Sequence, residues 1–324
     1  MQTILQMVQN SEMELGLPAS ASVYGTNGQL TDSTGVQMGA LANRVLDELR
    51  RMNRWVNLQF EYNLVVNPPI NTTGTMGIQS PVITNIPSTS ALQANFWQVV
   101  GPGIPSAARI QSVDSPTQIT MDMENTNTAV INGAEIQFCQ DTYPMPAGFD
   151  WFNNRTMWDR TNRWELLGPD SPQMDQWHRS GIVVTGPRRH FRQISPYSNQ
   201  FRIWPAPSEI TSPLQLVFEY LSIAAVNSLG AGTTYVQYFT NDTDTPLLDD
   251  QSIIMGIKWM FWEVKGFGAY ATLQSRWVDY VDRLIARDGA APTLQVAKRQ
   301  NPLLISPNNI QDGFFPGPTS ANSS

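Results

Sequence analysis

Along the first 66 residues the spacing of apolar positions changes once, from about 3.6 to 2, which predicts helices followed by a strand. Ile4, Leu5, Val8 and Leu15 recur at near-helical intervals between residues 3 and 15. Gly16-Leu17-Pro18 stops that run, because proline disfavours helical backbone in the residue before it. A Gly/Ser/Asn/Thr linker covers residues 19–31. Beyond it, Met38, Leu41, Val45, Leu49 and Met52 fall three or four apart, with Arg44, Asp47, Glu48 and Arg51 between them. This spacing predicts an amphipathic helix from Val36 to Trp55, antiparallel to the first and capped by Asp32, Ser33 or Thr34. Leu58, Phe60, Tyr62, Leu64 and Val66 then alternate with polar residues, which predicts a half-buried strand leaving the helix without an intervening turn.

From Pro68 to about Leu221 short runs such as Arg109 to Val113, Gln118 to Met123 and Glu135 to Cys139 are punctuated by Pro, Gly and Asn-Gly. A sandwich or small barrel is expected. Phe191 to Trp204 reads as a hairpin turning at Pro196 to Asn199, and Leu214, Leu216, Phe218 and Tyr220 read as a strand pairing with it in one sheet. Helical spacing returns at Thr245-Pro246, with threonine as cap and proline at the first helical position. One stripe holds Leu247, Ile254, Ile257, Phe261 and Val264. Past a weak point at Gly266 to Gly268, a second holds Leu273, Trp277, Val281, Leu284 and Ile285, ending at Arg287-Asp288-Gly289. Trp55 and Trp277 sit on apolar stripes and are each expected to pack within the helical module. Residues 290–324 lack periodicity and are rich in Pro, Asn and Ser, so alone they should have no fold of their own.

The expected architecture is therefore α+β. A helical module from residues 1–56 and 245–289 brackets an inserted antiparallel β sandwich or barrel, residues 57–244, and an extended C-terminal arm, residues 290–324, follows.

Composition narrows the function. Only 15% of the 324 residues are charged, against about a quarter in an average chain, while Gly numbers 22 and Pro 23, which implies a polar but weakly ionic surface. A net charge of -7 argues against gripping nucleic acid through its phosphates. Cys139 is the lone cysteine, so an internal disulfide or a CxxC site is excluded. The opening segment is polar rather than basic-then-apolar, which predicts synthesis in a cytoplasm without a standard secretory signal. The longest apolar stretch, Ile253 to Trp262, contains Lys258 and falls short of the roughly 20 residues that span a bilayer, so no membrane association is expected.

No phosphate loop, GxGxxG turn, GxSxG elbow or HExxH helix is present, and no catalytic, cofactor-binding or metal site is predicted. His178 and His190 are too few for a histidine-rich metal site and have no evident nucleophile beside them, so both are expected to be structural. Asp242, Asp244, Asp249 and Asp250 lack the glycine and distal glutamate of a calcium loop; they are expected to crowd the start of the third helix, where the macrodipole favours negative charge. The sequons at Asn71, Asn154 and Asn241 are read as accidents of composition.

Arginine outnumbers lysine 17 to 3, and ten tryptophans are present. Between residues 150 and 204, Arg155, Arg160, Arg163, Arg179, Arg188, Arg189, Arg192 and Arg202 interleave with Trp151, Trp158, Trp164, Trp177 and Trp204, and Arg155, Trp158, Arg160, Arg163, Trp164, Arg188 and Arg189 are the interface candidates. Such mixtures dominate protein interfaces, because guanidinium bonds bidentately and indole buries a large area for little lost entropy. A protein interface is favoured over internal packing, and over single-stranded nucleic acid, where bases would stack on the rings. Leu303, Leu304, Ile305, Phe314 and Phe315 are candidate anchors in the arm.

The run Leu41-Ala42-Asn43-Arg44-Val45-Leu46 to Trp55, the segment Tyr143-Pro144-Met145-Pro146-Ala147-Gly148-Phe149-Asp150 with Arg155-Thr156-Met157-Trp158-Asp159, and Phe201-Arg202-Ile203-Trp204-Pro205-Ala206-Pro207 resemble a known group. With Asp242 to Leu247 running into Gly256-Ile257-Lys258-Trp259, they are similar to the head-to-tail adaptor (connector) proteins of tailed bacteriophages, closest to the tail tubular protein A type of short-tailed phages. The resemblance spans residues 3–66 and 140–290. It implies a virion protein assembled in the host bacterial cytoplasm as a dodecameric homo-oligomeric ring. Such a ring binds the portal protein above and a tail nozzle or tube protein below, and double-stranded DNA passes through without specific binding during genome ejection. The stretch from Pro68 to Ile131 would be an enlarged β insertion. A nozzle, other tail or capsid-decorating protein is the first alternative, and compact packing of residues 33–55 against 246–289 would favour the adaptor over it. The second alternative is a carbohydrate- or nucleic-acid-binding β protein.

Overall fold

Thr3 starts helix α1 (Ile4–Glu14) through a reciprocal cap: its hydroxyl accepts from the Gln6 amide at 3.3 Å, and the Gln6 side-chain carbonyl accepts from the Thr3 amide at 3.0 Å. This computed structural model describes residues 1–25, 31, 33–180, 189–195, 199–228 and 234–289. Ile4, Met7 and Val8 are buried; so is Glu12, whose carboxylate accepts from the Ser20 amide and hydroxyl at 2.7 and 2.6 Å. Helix α2 (Ser33–Met52) buries Met38, Leu41, Val45 and Leu49 of the expected stripe and leaves Met52 exposed; Ser33 and Thr34 lie inside it rather than capping it, and Asp32 lies outside the described residues. It also stops at Met52 rather than Trp55. The Trp55 indole folds back and donates to the Leu49 carbonyl at 2.7 Å, satisfying an orphan acceptor of the last turn. A single 3-10 turn, Val56–Leu58, then intervenes where none was expected, before strand β1 (Gln59–Val66).

The chain next forms a six-stranded antiparallel sheet from β2 (Ile70–Met76), β3 (Val82–Thr84), β4 (Trp97–Val100), β5 (Ile110–Ser115), β6 (Gln118–Met121) and β7 (Ile131–Gln140). Their order is β4-β7-β2-β3-β6-β5, and an antiparallel bridge between Gln98 and Arg109 joins the two ends, closing a small barrel. Met76, Ile83, Val99, Ile119, Ile136 and Phe138 belong to its core. Gly74 lets β2 curve past that core: a Cβ there would lie 2.8 Å from Ile136 and 2.9 Å from Ile83.

Beyond the barrel come β8 (Thr142–Pro144), β9 (Phe149–Phe152), β10 (Trp158–Asp159), β11 (Trp164–Glu165), helix α3 (Pro172–Arg179), β12 (His190–Ser195), β13 (Gln200–Trp204) and β14 (Leu214–Ser222). The hairpin β12–β13 does form, but it does not pair with β14. Strand β14 has one edge filled by β1 over its whole length and the other by β9 and β10, so the hairpin pairs with β8 instead. The two sheets meet face to face over a second core, where the Phe201 ring meets those of Phe218 at 5.7 Å and Phe152 at 6.2 Å, both edge-on.

Strands β15 (Val226–Ser228), β16 (Thr234–Val236) and β17 (Thr245–Pro246) form a small sheet against the helices. Thr245 and Pro246 thus belong to a strand paired with Asn227 and Val226 and do not open the next helix. Asp249 does so, accepting from the Ser252 amide at 2.9 Å at the head of α4 (Asp250–Lys265). Leu247 consequently precedes the helix, and Val264 is exposed, whereas Ile254, Ile257 and Phe261 are buried as expected. Gly266, at φ +75°, closes α4 before α5 (Tyr270–Arg287), and Gly289 follows α5 at φ +85°. Asp249 and Asp250 sit at the start of α4 as expected; Asp242 and Asp244 do not. Asp242 accepts from the Val23 and Tyr24 amides at 3.0 and 2.9 Å, and Asp244 from those of Thr240 and Asn241 at 2.8 and 2.9 Å.

Helices from both ends of the chain share the largest core, with Trp55 and Trp277 both in it, and the β region is inserted between them: the fold is α+β. Helices α2 and α4 touch where Gly256 leaves no room for a side chain, since a Cβ there would lie 2.4 Å from Val45. The Trp277 indole donates to the Ser252 carbonyl at 2.9 Å, locking α5 onto α4. No helix among the described residues is long and apolar enough to cross a membrane. Arg188 and the arm that carries Leu303, Leu304, Ile305, Phe314 and Phe315 lie outside the described residues.

Candidate assembly surface

Alternation on β1 and β14 leaves one face of their sheet outward. Phe60, Tyr62 and Leu64 oppose Tyr220, Phe218 and Leu216 on the inner side, while Glu61, Asn63 and Val65 oppose Glu219, Val217 and Gln215 on the outer. Trp158 lies opposite Val217 and Trp151 opposite Leu221, so both indoles stand on that outer face, 41% and 53% exposed. The Arg54 guanidinium lies 5.7 Å from the centre of the Trp151 ring, a cation–π contact at an exposed site. Arg160 reaches across the sheet to the Glu61 carboxylate at 2.8 Å; both ends are exposed, so the pair adds little stability.

The β10–β11 turn is organised by Asp159. Its buried carboxylate accepts from the Thr161 amide at 2.9 Å and from the Asn162 amide and side chain at 3.1 and 2.8 Å. That arrangement holds Arg163 in left-handed backbone, φ +60°, and leaves Arg163 and Trp164 exposed. Arg155 is likewise exposed and left-handed, φ +64°, in the β9–β10 turn. Arg155, Trp158, Arg160, Arg163 and Trp164 thus all come from β10, β11 and the turns beside them, but Trp164, opposite Asp159, stands on the other face of the sheet from Trp158. Arg189 departs from them: it is half-buried, its guanidinium 3.9 Å from Asp159, and burial lowers its pKa against the pull of that carboxylate. Between β10–β11 and the barrel lies a cleft of about 600 Å³, lined among others by Gln98, Pro105, Trp164, Arg189, Trp204 and Glu209.

Other arginines turn inward. Arg109 is buried and donates at 2.6 Å to each of the Asp141 carboxylate, the Thr142 hydroxyl and the Asn95 carbonyl. Arg202 lies 3.9 Å from Asp141 and 4.0 Å from Asp175, which also pairs closely with Arg192. Burial pushes the Asp141 carboxyl up, and burial together with neighbouring Arg109 pulls Arg202 down to about 10. This network ties the barrel to α3 and the β12–β13 hairpin. Nothing in the spacing of Arg109, Asp141 and Asp175 announces it, because its members come from three distant segments.

The two histidines also meet. Their rings lie 4.6 Å apart, and Asp170 stands against both, its carboxylate oxygens 3.3 Å from His190 Nδ1 and 3.7 Å from His178 Nε2. Treating the histidines by number alone misses the carboxylate that the fold adds to them. No family model matches the chain, and no characterised protein matches it at a significant level.

Proposed function

We propose that this protein is a non-enzymatic virion component, a head-tail adaptor that assembles as a ring beneath a phage portal and continues the DNA channel. The observation that carries this reading is the compact helical core in which α2 packs against α4 and α4 against α5, the feature that separates an adaptor from a decoration or nozzle protein built on β structure alone. Two exposed patches on different elements support it. Val264, Phe267 and Tyr270 form an apolar corner where α4 meets α5, and Trp151 and Trp158 stand together on the outer face of the sheet. A ring contact is heterologous, so each subunit needs two unlike patches, and aromatic and arginine side chains suit the centre of such contacts.

The net charge of -7 and the low charged fraction fit a lumen that leaves DNA phosphates solvated rather than bound. A dodecameric ring, with portal protein above and a tail nozzle or tube protein below, follows from the same resemblance. Co-sedimentation of the purified chain with portal rings of its own virus tests the reading. The wild-type chain should travel with the portal, and Trp158→Ala combined with Phe267→Ala should leave it in the supernatant while still folded. A wild-type chain that never sediments with the portal would overturn it.

A further inference from the structure

We propose that Asp170, His178 and His190 form a binding site for one divalent transition-metal ion, zinc foremost, which fastens helix α3 to the β12–β13 hairpin. One donor atom from each residue lies within 4.8 Å of the other two. In a tetrahedral zinc site with bonds of about 2.0–2.2 Å, neighbouring donors stand about 3.3–3.6 Å apart. Asp170 Oδ1 stands 3.3 Å from His190 Nδ1 and Oδ2 3.7 Å from His178 Nε2, so the carboxylate already faces both imidazoles, and rotation of these side chains brings one oxygen and both nitrogens around an ion.

The backbone builds this geometry from both sides. Residues 167–170 run alongside the start of β12: the Phe191 amide donates to the Leu167 carbonyl and the Asp170 amide to the Phe191 carbonyl, each at 2.9 Å, fixing Asp170 beside His190. His178 comes from the last turn of α3, and the only buried residues of that helix are Asp175 and His178. Met174 and Trp177 on the same helix are 46% and 47% exposed, so α3 docks through polar groups instead of an apolar stripe.

The donors are also poorly explained by hydrogen bonding alone. His178 Nε2 is buried without a hydrogen-bond partner among the described residues, and 3.7 Å to Asp170 is too long for such a bond. No lysine or arginine among the described residues pairs with Asp170, whereas Asp175, in the first turn of α3, pairs with Arg192 and Arg202. Two imidazoles and one carboxylate suit zinc, cobalt or iron(II) better than calcium or magnesium, which prefer all-oxygen shells. The three ligands leave a fourth position for water.

The test uses the full, untagged chain, stripped with EDTA and dialysed against zinc chloride, with bound zinc measured by plasma mass spectrometry. One zinc per chain is expected. His178→Ala, and separately Asp170→Asn, should bind at least tenfold more weakly. Zinc should raise the Tm of the wild-type chain and leave that of His178→Ala unchanged, since an ion that binds only the folded state stabilises it. Cobalt(II) should show tetrahedral visible bands that disappear in the variants. If His178→Ala fails to fold, His190→Gln serves in the same comparison. A folded wild-type chain that retains no zinc would overturn the proposal, as would equal retention by the folded variants.

Discussion

Single residues hold the three cores in place, and a few carry testable weight. Trp277 is 2% exposed, touches the Trp259 ring at 5.6 Å and donates to Ser252, so Trp277→Ala should destabilise the chain by roughly 3 to 5 kcal/mol in urea unfolding. An unchanged midpoint would contradict its placement. Gly256→Ala forces a methyl against the β-branched Val45 and should cost about 1–3 kcal/mol through separation of α2 from α4. Burial pushes the Cys139 thiol up to about 12 and raises the Tyr24 and Tyr143 phenols above their ordinary value. These groups ionise more readily once the chain unfolds. Stability from them is complete below the ordinary thiol range near pH 8.5 and declines as pH rises toward 12. Urea midpoints measured from pH 8 to 11 should therefore fall steadily; a flat profile would show that these groups are accessible in the folded chain.

At the scale of elements, the sequence is most legible where one period runs long enough to be counted. The stripe Met38, Leu41, Val45, Leu49 announces α2, and Trp277 and Val281 announce the buried side of α5. Boundaries are less legible, because local side-chain chemistry decides them. Thr245-Pro246 has the composition of a helix start, yet Thr245 is committed to a strand ladder, and Asp249, four residues on, supplies the cap. Asp249→Ala should accordingly cost about 1 kcal/mol, while Thr245→Ser should cost less; thermal unfolding distinguishes them. Sheet partners are less legible still. The alternation in Leu214, Leu216, Phe218 and Tyr220 marks a strand but not its neighbour, and β14 pairs with β1, 148 to 162 residues earlier in the chain, rather than with the adjacent hairpin. Helix α3 lacks an apolar stripe, so its inward face, Asp175 and His178, emerges only from the fold.

For the whole molecule, the interleaved arginines and tryptophans of residues 150–204 divide into two populations that composition does not distinguish. Arg155, Arg160 and Arg163 face outward with Trp158 and Trp164, whereas Arg192 and Arg202, with Arg109 from the barrel, neutralise buried aspartates. Exposure and burial of a guanidinium depend on where distant carboxylates arrive, which linear spacing does not encode. The outward group is expected to act in assembly: Trp158→Ser with Arg163→Ser should leave stability within about 0.5 kcal/mol while weakening ring formation, as compared by unfolding and by sedimentation velocity. The three cores are built from residues between Ile4 and Val281, so a chain ending at Gly289 should keep its Tm and lose affinity for its partners. The decisive experiment is native mass spectrometry of the full chain mixed with portal rings from its own virus. A mass carrying about twelve copies per portal ring is the expected result; a chain that stays monomeric and ignores the portal would contradict the adaptor reading.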